Sequence, residues 1–316
     1  MLNYLLLLAG LCALLVGGDL LVRGAVGIAE RLKIPPLIIG LTIVAMGTSA
    51  PEMMVSIDAA LNGSGGIAIG NVIGSNVANV LLVLAVPALI IPTVCAEEGI
   101  GRNMLVMVGL TIVFMGMLAS GSIGRLDGLI LLALLGLYLY EQLRSAQSHR
   151  NGQAVQAEYL DEIHSVPQSV KMIALLLVSG LVLLPIGAEL TVNAATSIAR
   201  NHGVSEEVIG LTVVALGTSL PELATSLLAV WRGNSSVALG NVIGSNIFNI
   251  GLIMGLTAVI APVPVADRII QVDMWVMFAS ALLVAALAHY CISIGKKLGG
   301  AMIAAYGVYA IASYIL

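Results

Sequence analysis

Charge is what this sequence has little of. Only 9% of its 316 residues are Asp, Glu, Lys or Arg, against about 25% in a soluble domain. Aromatic residues are also scarce, at 4%. The net charge is −4 and the 13 Lys and Arg form no basic patch, which argues against nucleic acid as a partner. The three cysteines, Cys12, Cys95 and Cys291, lie in or beside apolar runs without ligand spacing and read as small apolar filler. His202 and His289 fall near the ends of apolar runs and read as interfacial. Neither His-Glu-x-x-His nor Gly-x-Ser-x-Gly occurs, and no nucleophile–base pair lies at depth, so an enzyme and a bound cofactor are not expected. Met1-Leu2-Asn3-Tyr4 carries no basic residue, so the first apolar run reads as a retained helix, not a cleaved signal.

What fills the chain is hydrocarbon. Hydrophobic residues make up 59% and the mean hydropathy is +1.06. This composition predicts an all-α integral membrane protein. Length and interruption divide it into ten apolar spans: 3–22, 36–60, 67–91, 103–119, 126–143, 170–190, 206–231, 237–261, 273–290 and 298–315. Tyr4, Tyr138, Tyr140, Tyr290, Tyr314 and Trp231 stand near span ends, as an interfacial belt would. Met53, Met54, Met104, Met107, Met115 and Met117 read as packing residues.

One polar stretch is set deep in this apolar background. Gly47-Thr48-Ser49-Ala50-Pro51-Glu52 lies within the run from Pro36 to Ala60. A carboxylate at that depth costs at least about 2.5–3.5 kcal/mol. Pro51 lacks an N–H and disturbs the helix one turn upstream. Carbonyls between Ala45 and Thr48 would be freed beside two hydroxyls and an acid. This is the oxygen set that hard cations take, and irregular backbone at membrane depth is tolerated where it lines a buried or wet cavity.

The stretch occurs twice. Gly217-Thr218-Ser219-Leu220-Pro221-Glu222 repeats it 170 residues later, and about 23 of 41 positions are identical between 39–79 and 209–249. The organisation expected is a first repeat over 1–140, a linker over 141–169 and a second repeat over 170–316, five spans in each repeat. Five is odd, so the second repeat enters the membrane from the opposite side. With the N-terminus outside, Arg23, Arg31, Lys33, Arg102, Arg144, Arg150, Lys171, Arg232, Lys296 and Lys297 face the cytoplasm. Only Arg125, Arg200 and Arg268 face outward. That positive-inside bias predicts both termini outside and an inverted-topology repeat. The linker holds His149, Arg150, Glu158, Asp161, Glu162 and His164, with Gly152 and Pro167. It is too short for a domain, and no EF-hand pattern surrounds Asp161 and Glu162.

Each repeat continues into a second motif, Gly70-Asn71-Val72-Ile73-Gly74-Ser75-Asn76 with Asn79, and Gly240-Asn241-Val242-Ile243-Gly244-Ser245-Asn246 with Asn249. Ser75 and Asn79 share one helical face, as do Ser245 and Asn249. The glycines permit close helix approach. For Asn71, Asn76, Asn241 and Asn246 two readings stand open: ion site or interhelical hydrogen bonding. Asp19 and Glu189 match at the same offset, near the ends of spans 1 and 6, and read as snorkelling or capping acids outside the site. Asp58 has Leu228 as its counterpart and reads as an interfacial or pathway residue.

The doubled Gly-Thr-Ser-x-Pro-Glu and doubled Gly-Asn-x-x-Gly-Ser-Asn resemble the calcium/cation antiporter superfamily, and within it the prokaryotic sodium/calcium exchangers with ten helices. The resemblance implies that spans 2, 3, 7 and 8 form a diamond of ion sites at the midplane. By motif position, Glu52 and Glu222 would bind calcium together with Thr48 and Thr218. Ser49, Ser75, Ser219 and Ser245 would build flanking sodium sites. The carbonyls of Ala45 and Ala215 would contribute at the helix breaks, and Asn79 and Asn249 would complete the centre. Some relatives have Asp where this chain has Asn249, so an additional potassium ion is less favoured here. The resemblance also implies that spans 1 and 6 slide across a fixed core.

The function expected is exchange of Na⁺ for Ca²⁺ across a cell (inner) membrane by alternating access, extruding Ca²⁺, with lipid as the surroundings and a monomer as the working unit. The nearest rival is a calcium/proton antiporter, in which Gly-Asn-Ala-x-Glu usually replaces the first motif. The hydroxyl pair kept in both copies here suits dehydrated sodium. A cation channel is more remote, because channels usually build acidic rings from several subunits.

Overall fold

The computed structural model describes residues 1–92, 99–151, 169–203 and 215–315. Cys95 lies outside them, as do residues 152–168 of the linker with Gly152, Glu158, Asp161, Glu162, His164 and Pro167. The side chains of His149, Arg150 and Tyr314 are outside the description as well.

The architecture is helical. In chain order the helices are α1 (Leu2–Leu32), α2 (Pro36–Thr48), α3 (Ala50–Leu61), α4 (Gly65–Ala88), α5 (Ile100–Leu118), α6 (Arg125–Asn151), α7 (Val170–Asn201), α8 (Ala215–Gly217), α9 (Leu220–Trp231), α10 (Ser235–Ile260), α11 (Ile269–His289) and α12 (Lys296–Ile315). Among the described residues seven helices are long and apolar enough to cross a membrane, and α2 with α3, bent by 45°, makes an eighth span. Two short strands, β1 (Ser122–Ile123) and β2 (Val263–Pro264), pair antiparallel and tie the α5–α6 turn to the α10–α11 turn.

Two of the expected spans are too short. Hydropathy ends spans 1 and 6 at 22 and 190, yet α1 runs to Leu32 and α7 to Asn201. The charges that interrupt the first run are paired along the helix: Arg23 lies 3.9 Å from Asp19, one turn away. Asp19 is therefore inside a helix and not at its end, and Arg232, after α9, also bonds its carboxylate. Glu189 is likewise inside α7, on an exposed face.

Helices α1 and α7 form one long antiparallel pair, and glycine makes it close. A Cβ on Gly10 would sit 3.0 Å from the Gly187 carbonyl, and one on Gly180 would sit 2.8 Å from the Gly17 carbonyl. These two contacts are related by the 170-residue offset. Elsewhere α10 packs along α2, α6 packs on the C-terminal half of α10, and α12 packs on the C-terminal half of α4. Gly240 and Gly244 face the α2 backbone, where a Cβ would meet Leu37 O and Leu41 O at 2.7 Å. The close approach expected of the motif's glycines is thus realised in the second copy only, because a Cβ on Gly70 or Gly74 in the first copy would have nothing within 4 Å.

The buried core runs through α4, α5, α10 and α11 and includes Met104 and Met107. Met54 departs from the packing role expected of it, being 69% exposed. Tyr138 departs from the interfacial belt. It is buried and donates to Asn103 Oδ1 at 3.1 Å, so α5 and α6 are joined by a polar contact. Tyr4, Tyr140, Tyr290 and Trp231 are exposed, as a belt requires.

Candidate functional site

The chain breaks where the proline motif stands. Helix α2 stops at Thr48, Ser49 leaves helical geometry at φ −82°, ψ 9°, and α3 restarts at Ala50. In the second copy α8 stops at Gly217, Ser219 has φ −86°, ψ 4°, and α9 restarts at Leu220. Each glutamate thereby falls in the first turn of a new helix, where free N–H groups and the helix dipole favour negative charge. A second irregularity follows in each repeat. The π-helical turns Asn79–Val83 and Asn249–Met254 begin at the expected asparagines. Such turns shift the carbonyl pattern and concentrate at functional places.

The two copies meet. Glu52 and Glu222 are both buried, at 1% exposure, in the same polar centre. Ser49 donates to Glu222 Oε1 at 3.0 Å, and Thr218 stands within reach of the Glu52 carboxylate. Thr48 Oγ1 donates to Asn241 Oδ1 at 3.0 Å. Hydroxyls of one repeat thus serve acceptors of the other. Ser75, Ser219, Ser245, Asn79 and Asn249 are buried in the same core, and Ser245 faces Glu222.

The backbone carbonyls differ between copies. Ala45 O already accepts from Ser49 N–H at 3.1 Å, and Thr48 Oγ1, whose shorter contact is the one to Asn241, lies 3.3 Å from it. In the second copy Ser219 N–H turns to Leu216 O at 3.2 Å instead of Ala215 O.

The asparagines divide by role. Asn71 donates to Glu52 O at 3.0 Å and to Ser56 Oγ at 2.9 Å. Asn241 repeats this with Glu222 O at 3.3 Å and Ser226 Oγ at 3.1 Å. Both hold the backbone of a glutamate in place. Asn76 reaches Met277 Sδ at 3.9 Å, and Asn246 reaches Met107 Sδ at 3.7 Å, each crossing to the other repeat. Ser56, Ser226 and Met277 carry no motif of their own, and Met107, expected to pack only, also takes this contact. The two serines are marked in the sequence by their identity at the 170-residue offset.

Several buried side-chain atoms have no protein partner, among them Glu52 Oε2, Glu222 Oε2, Ser219 Oγ, Ser245 Oγ, Asn79 Oδ1 and both polar atoms of the Asn249 amide. Buried oxygens normally find a partner, and each left alone costs about 1–3 kcal/mol. A cluster of them around two carboxylates fits hard cations as cargo. Among the described residues no group of three or more His, Cys, Asp or Glu side chains could hold a metal; the buried acids at this centre are Glu52 and Glu222.

Broken helices from two related repeats, meeting at buried oxygen ligands, are the construction of a secondary membrane transporter. The chain belongs to the sodium/calcium exchanger protein family, whose profile matches residues 2–144 and 172–315. It is 34% identical to the sodium/calcium exchanger MaX1 of Methanosarcina acetivorans, over 89% of each chain. It is 38% identical to the inner membrane protein YrbG of Escherichia coli K12, over 81% of this chain and 79% of that one. A solved structure of the sodium-calcium exchanger NCX_Mj, soaked with 2.5 mM Na⁺ and 0.1 mM Ca²⁺, superimposes with a TM-score of 0.83 at 34% identity, covering 100% of this chain and 99% of that one.

Proposed function

We propose that the protein exchanges Na⁺ for Ca²⁺ by alternating access, with Glu52 and Glu222 as the shared calcium ligands. Thr48 and Thr218 join them. Ser49, Ser75, Ser219 and Ser245 serve the sodium sites, with Asn79, Asn249 and the Ala45 and Ala215 carbonyls completing the oxygen set. The observation that carries this reading is the reach of one repeat's hydroxyls onto acceptors of the other, Ser49 to Glu222 and Thr48 to Asn241. The solved exchanger of similar fold, soaked with both ions, lends further support.

Charge then dictates exchange. Two carboxylates are neutralised by one Ca²⁺, or by sodium ions spread over several oxygen sites. An ion-free centre is a buried double anion, strongly disfavoured in low dielectric. Loaded states cross and the empty one does not. Glu52 and Glu222 supply the charge, the hydroxyls select dehydrated cations, and Asn71 and Asn241 keep both acids aimed inward.

The topology we propose has ten spans in two inverted five-helix repeats, 1–140 and 170–316, joined by 141–169 on the cytoplasmic side of a cell membrane, with both termini outside. The β1–β2 pairing supports it: both turns must lie on one face, which requires an even number of crossings between them. Counting α6, α7, the α8–α9 segment and α10 gives four. The 45° bend between α2 and α3 is the helix break the site needs.

The deciding measurement is ⁴⁵Ca²⁺ flux into proteoliposomes with and without an outward sodium gradient. Saturable uptake that requires the gradient is expected. Uptake driven instead by a pH step without sodium would replace sodium by protons, and flux needing no counter-ion would make the protein a channel.

A further inference from the structure

The two repeats match in their motifs but not in how they are covered. Helix α1 packs along α9, and a Cβ on Gly18 would lie 3.2 Å from the Ala224 backbone and 3.1 Å from Leu228 Cδ1. The face of α9 beneath it is closed: Ala224 is 7% exposed and Thr225 is fully buried. The offset maps this face onto Met54, Val55 and Asp58 of α3. There Met54 is 69% exposed, Val55 is 39% exposed, and Asp58 is exposed. Helix α7 makes no comparable contact with α3 among the described residues. One repeat is shut and its mirror partner is open.

Charge marks the shut side only. Asp19 on α1 is bonded by the Arg232 guanidinium after α9, with Arg23 3.9 Å away. Their mirror positions are Glu189, Asn62 and Asn193. Asn62 caps its own helix by donating to Asp58 O at 3.0 Å. Glu189 is exposed, and no described basic residue pairs with it. If α7 closed on α3 as α1 closes on α9, Glu189 would meet an amide instead of a cation. Ala188 would meet Asp58 where Gly18 now meets Leu228. The mirror state lacks the ion pair and brings two acids near each other.

We propose that Asp19 and Arg232 form a one-sided latch that biases the exchanger towards the state open at the outer face. This rests on the alternating-access and both-termini-outside reading above, which puts Arg232 on the cytoplasmic side and Asn62 on the outer side. A latch of this kind moves the balance between states without touching the ions. Releasing it therefore changes apparent affinity in opposite directions at the two faces.

Two readouts test it. In right-side-out and inside-out vesicles, Arg232→Ala and Asp19→Asn should lower the half-saturating cytoplasmic Ca²⁺ and raise the outer one, by about three- to tenfold in ratio. The double charge swap Asp19→Arg with Arg232→Asp should restore the original ratio. Asn62→Arg, which gives Glu189 the partner Asp19 has, should move the ratio the same way as releasing the latch. Independently of transport, Met54→Cys is placed in a chain with Cys12, Cys95 and Cys291 changed to Ser. A membrane-impermeant maleimide then reads the open face of α3, and its labelling should slow in Arg232→Ala and in Asn62→Arg. An unchanged ratio, or equal shifts at both faces, with unchanged labelling, overturns the latch. If labelling responds while sodium-dependent Ca²⁺ flux is absent from every chain, the assignment of the exchanged ions falls, while the two conformations and the latch between them stand. If Arg232→Ala does not reach the membrane, Asn62→Arg decides alone.

Discussion

Ser49 donates a 3.0 Å hydrogen bond to Glu222, 173 residues away in the chain. The bond joins the helix break of one repeat to the acid of the other, so neither repeat holds a complete site. Hydrogen bonds to buried charged groups contribute about 1.5–3 kcal/mol. Ser49→Ala should therefore raise the half-saturating sodium concentration roughly ten- to hundredfold. Ser49→Thr should retain much of the affinity. Sodium titration of Ca²⁺ efflux from loaded proteoliposomes measures both, and an unchanged curve for the alanine variant would remove Ser49 from the site.

The acids make a stronger demand. Glu52→Gln or Glu222→Gln leaves one negative charge for a divalent ion and should abolish sodium-dependent Ca²⁺ flux with protein still in the membrane. Ligand-induced stabilisation reports the same loss without transport. Ca²⁺ at a hundred times its dissociation constant stabilises a one-site protein by about 2.7 kcal/mol. A Ca²⁺-dependent rise in melting temperature is expected for the unmodified chain and none for either variant. Flux at the normal rate in either variant would dismiss the assignment.

How much of this could be read from residues alone follows from what each feature depends on. The break after Thr48 was legible because Pro51 has no N–H, and the pairing of Glu52 with Glu222 followed from the doubled motif. The full length of α1 was not. A window that penalises every charge stops at Arg23, and only the structure reveals that Asp19 satisfies it and Arg232 satisfies Asp19. Tyr138 was misplaced for a related reason: its partner Asn103 is on another helix, so position in its own span says nothing of the buried bond. The Met107 and Met277 contacts join opposite repeats, and no local pattern encodes them.

The α1–α7 seam should tolerate no side chain at its glycines. A Cβ on Gly187 would lie 2.8 Å from Leu14 N, and backbone cannot step aside as a side-chain tip can. Gly187→Val should lose about 1–3 kcal/mol of stability through overpacking, and exchange should slow if these helices slide. Gly116→Ala on α5 is the control. It has nothing within 4 Å, and alanine in a helix interior gains roughly 0.5–1 kcal/mol. Thermal unfolding in detergent ranks the two. Equal melting temperatures would mean that the seam is looser than its distances imply.

The membrane potential should drive net calcium movement if more sodium charge than calcium charge moves per cycle. Each net charge then contributes about 2.3 kcal/mol per 100 mV, roughly a fiftyfold change in the calcium gradient held at balance. Vesicles clamped with potassium and valinomycin should export Ca²⁺ faster with a negative interior. Rates independent of voltage would require equal charge in both directions.

Asn249 offers a way to separate folding from function. Neither polar atom of its amide has a protein partner, although the side chain is buried. Asn246, three residues earlier, accepts from Asn79 Nδ2 at 3.1 Å and donates to Asn76 O at 3.4 Å. Removing a satisfied buried amide strands its partners, whereas removing an unsatisfied one relieves a desolvation penalty. Asn249→Ala should therefore melt at or above the temperature of the unmodified chain in ion-free buffer, while Asn246→Ala melts lower. If Asn249 serves ions, its alanine variant should nevertheless lose most sodium-dependent Ca²⁺ flux. A variant that is both more stable and fully active would show the amide to be filler, and would take Asn249 out of the oxygen set around Glu52 and Glu222.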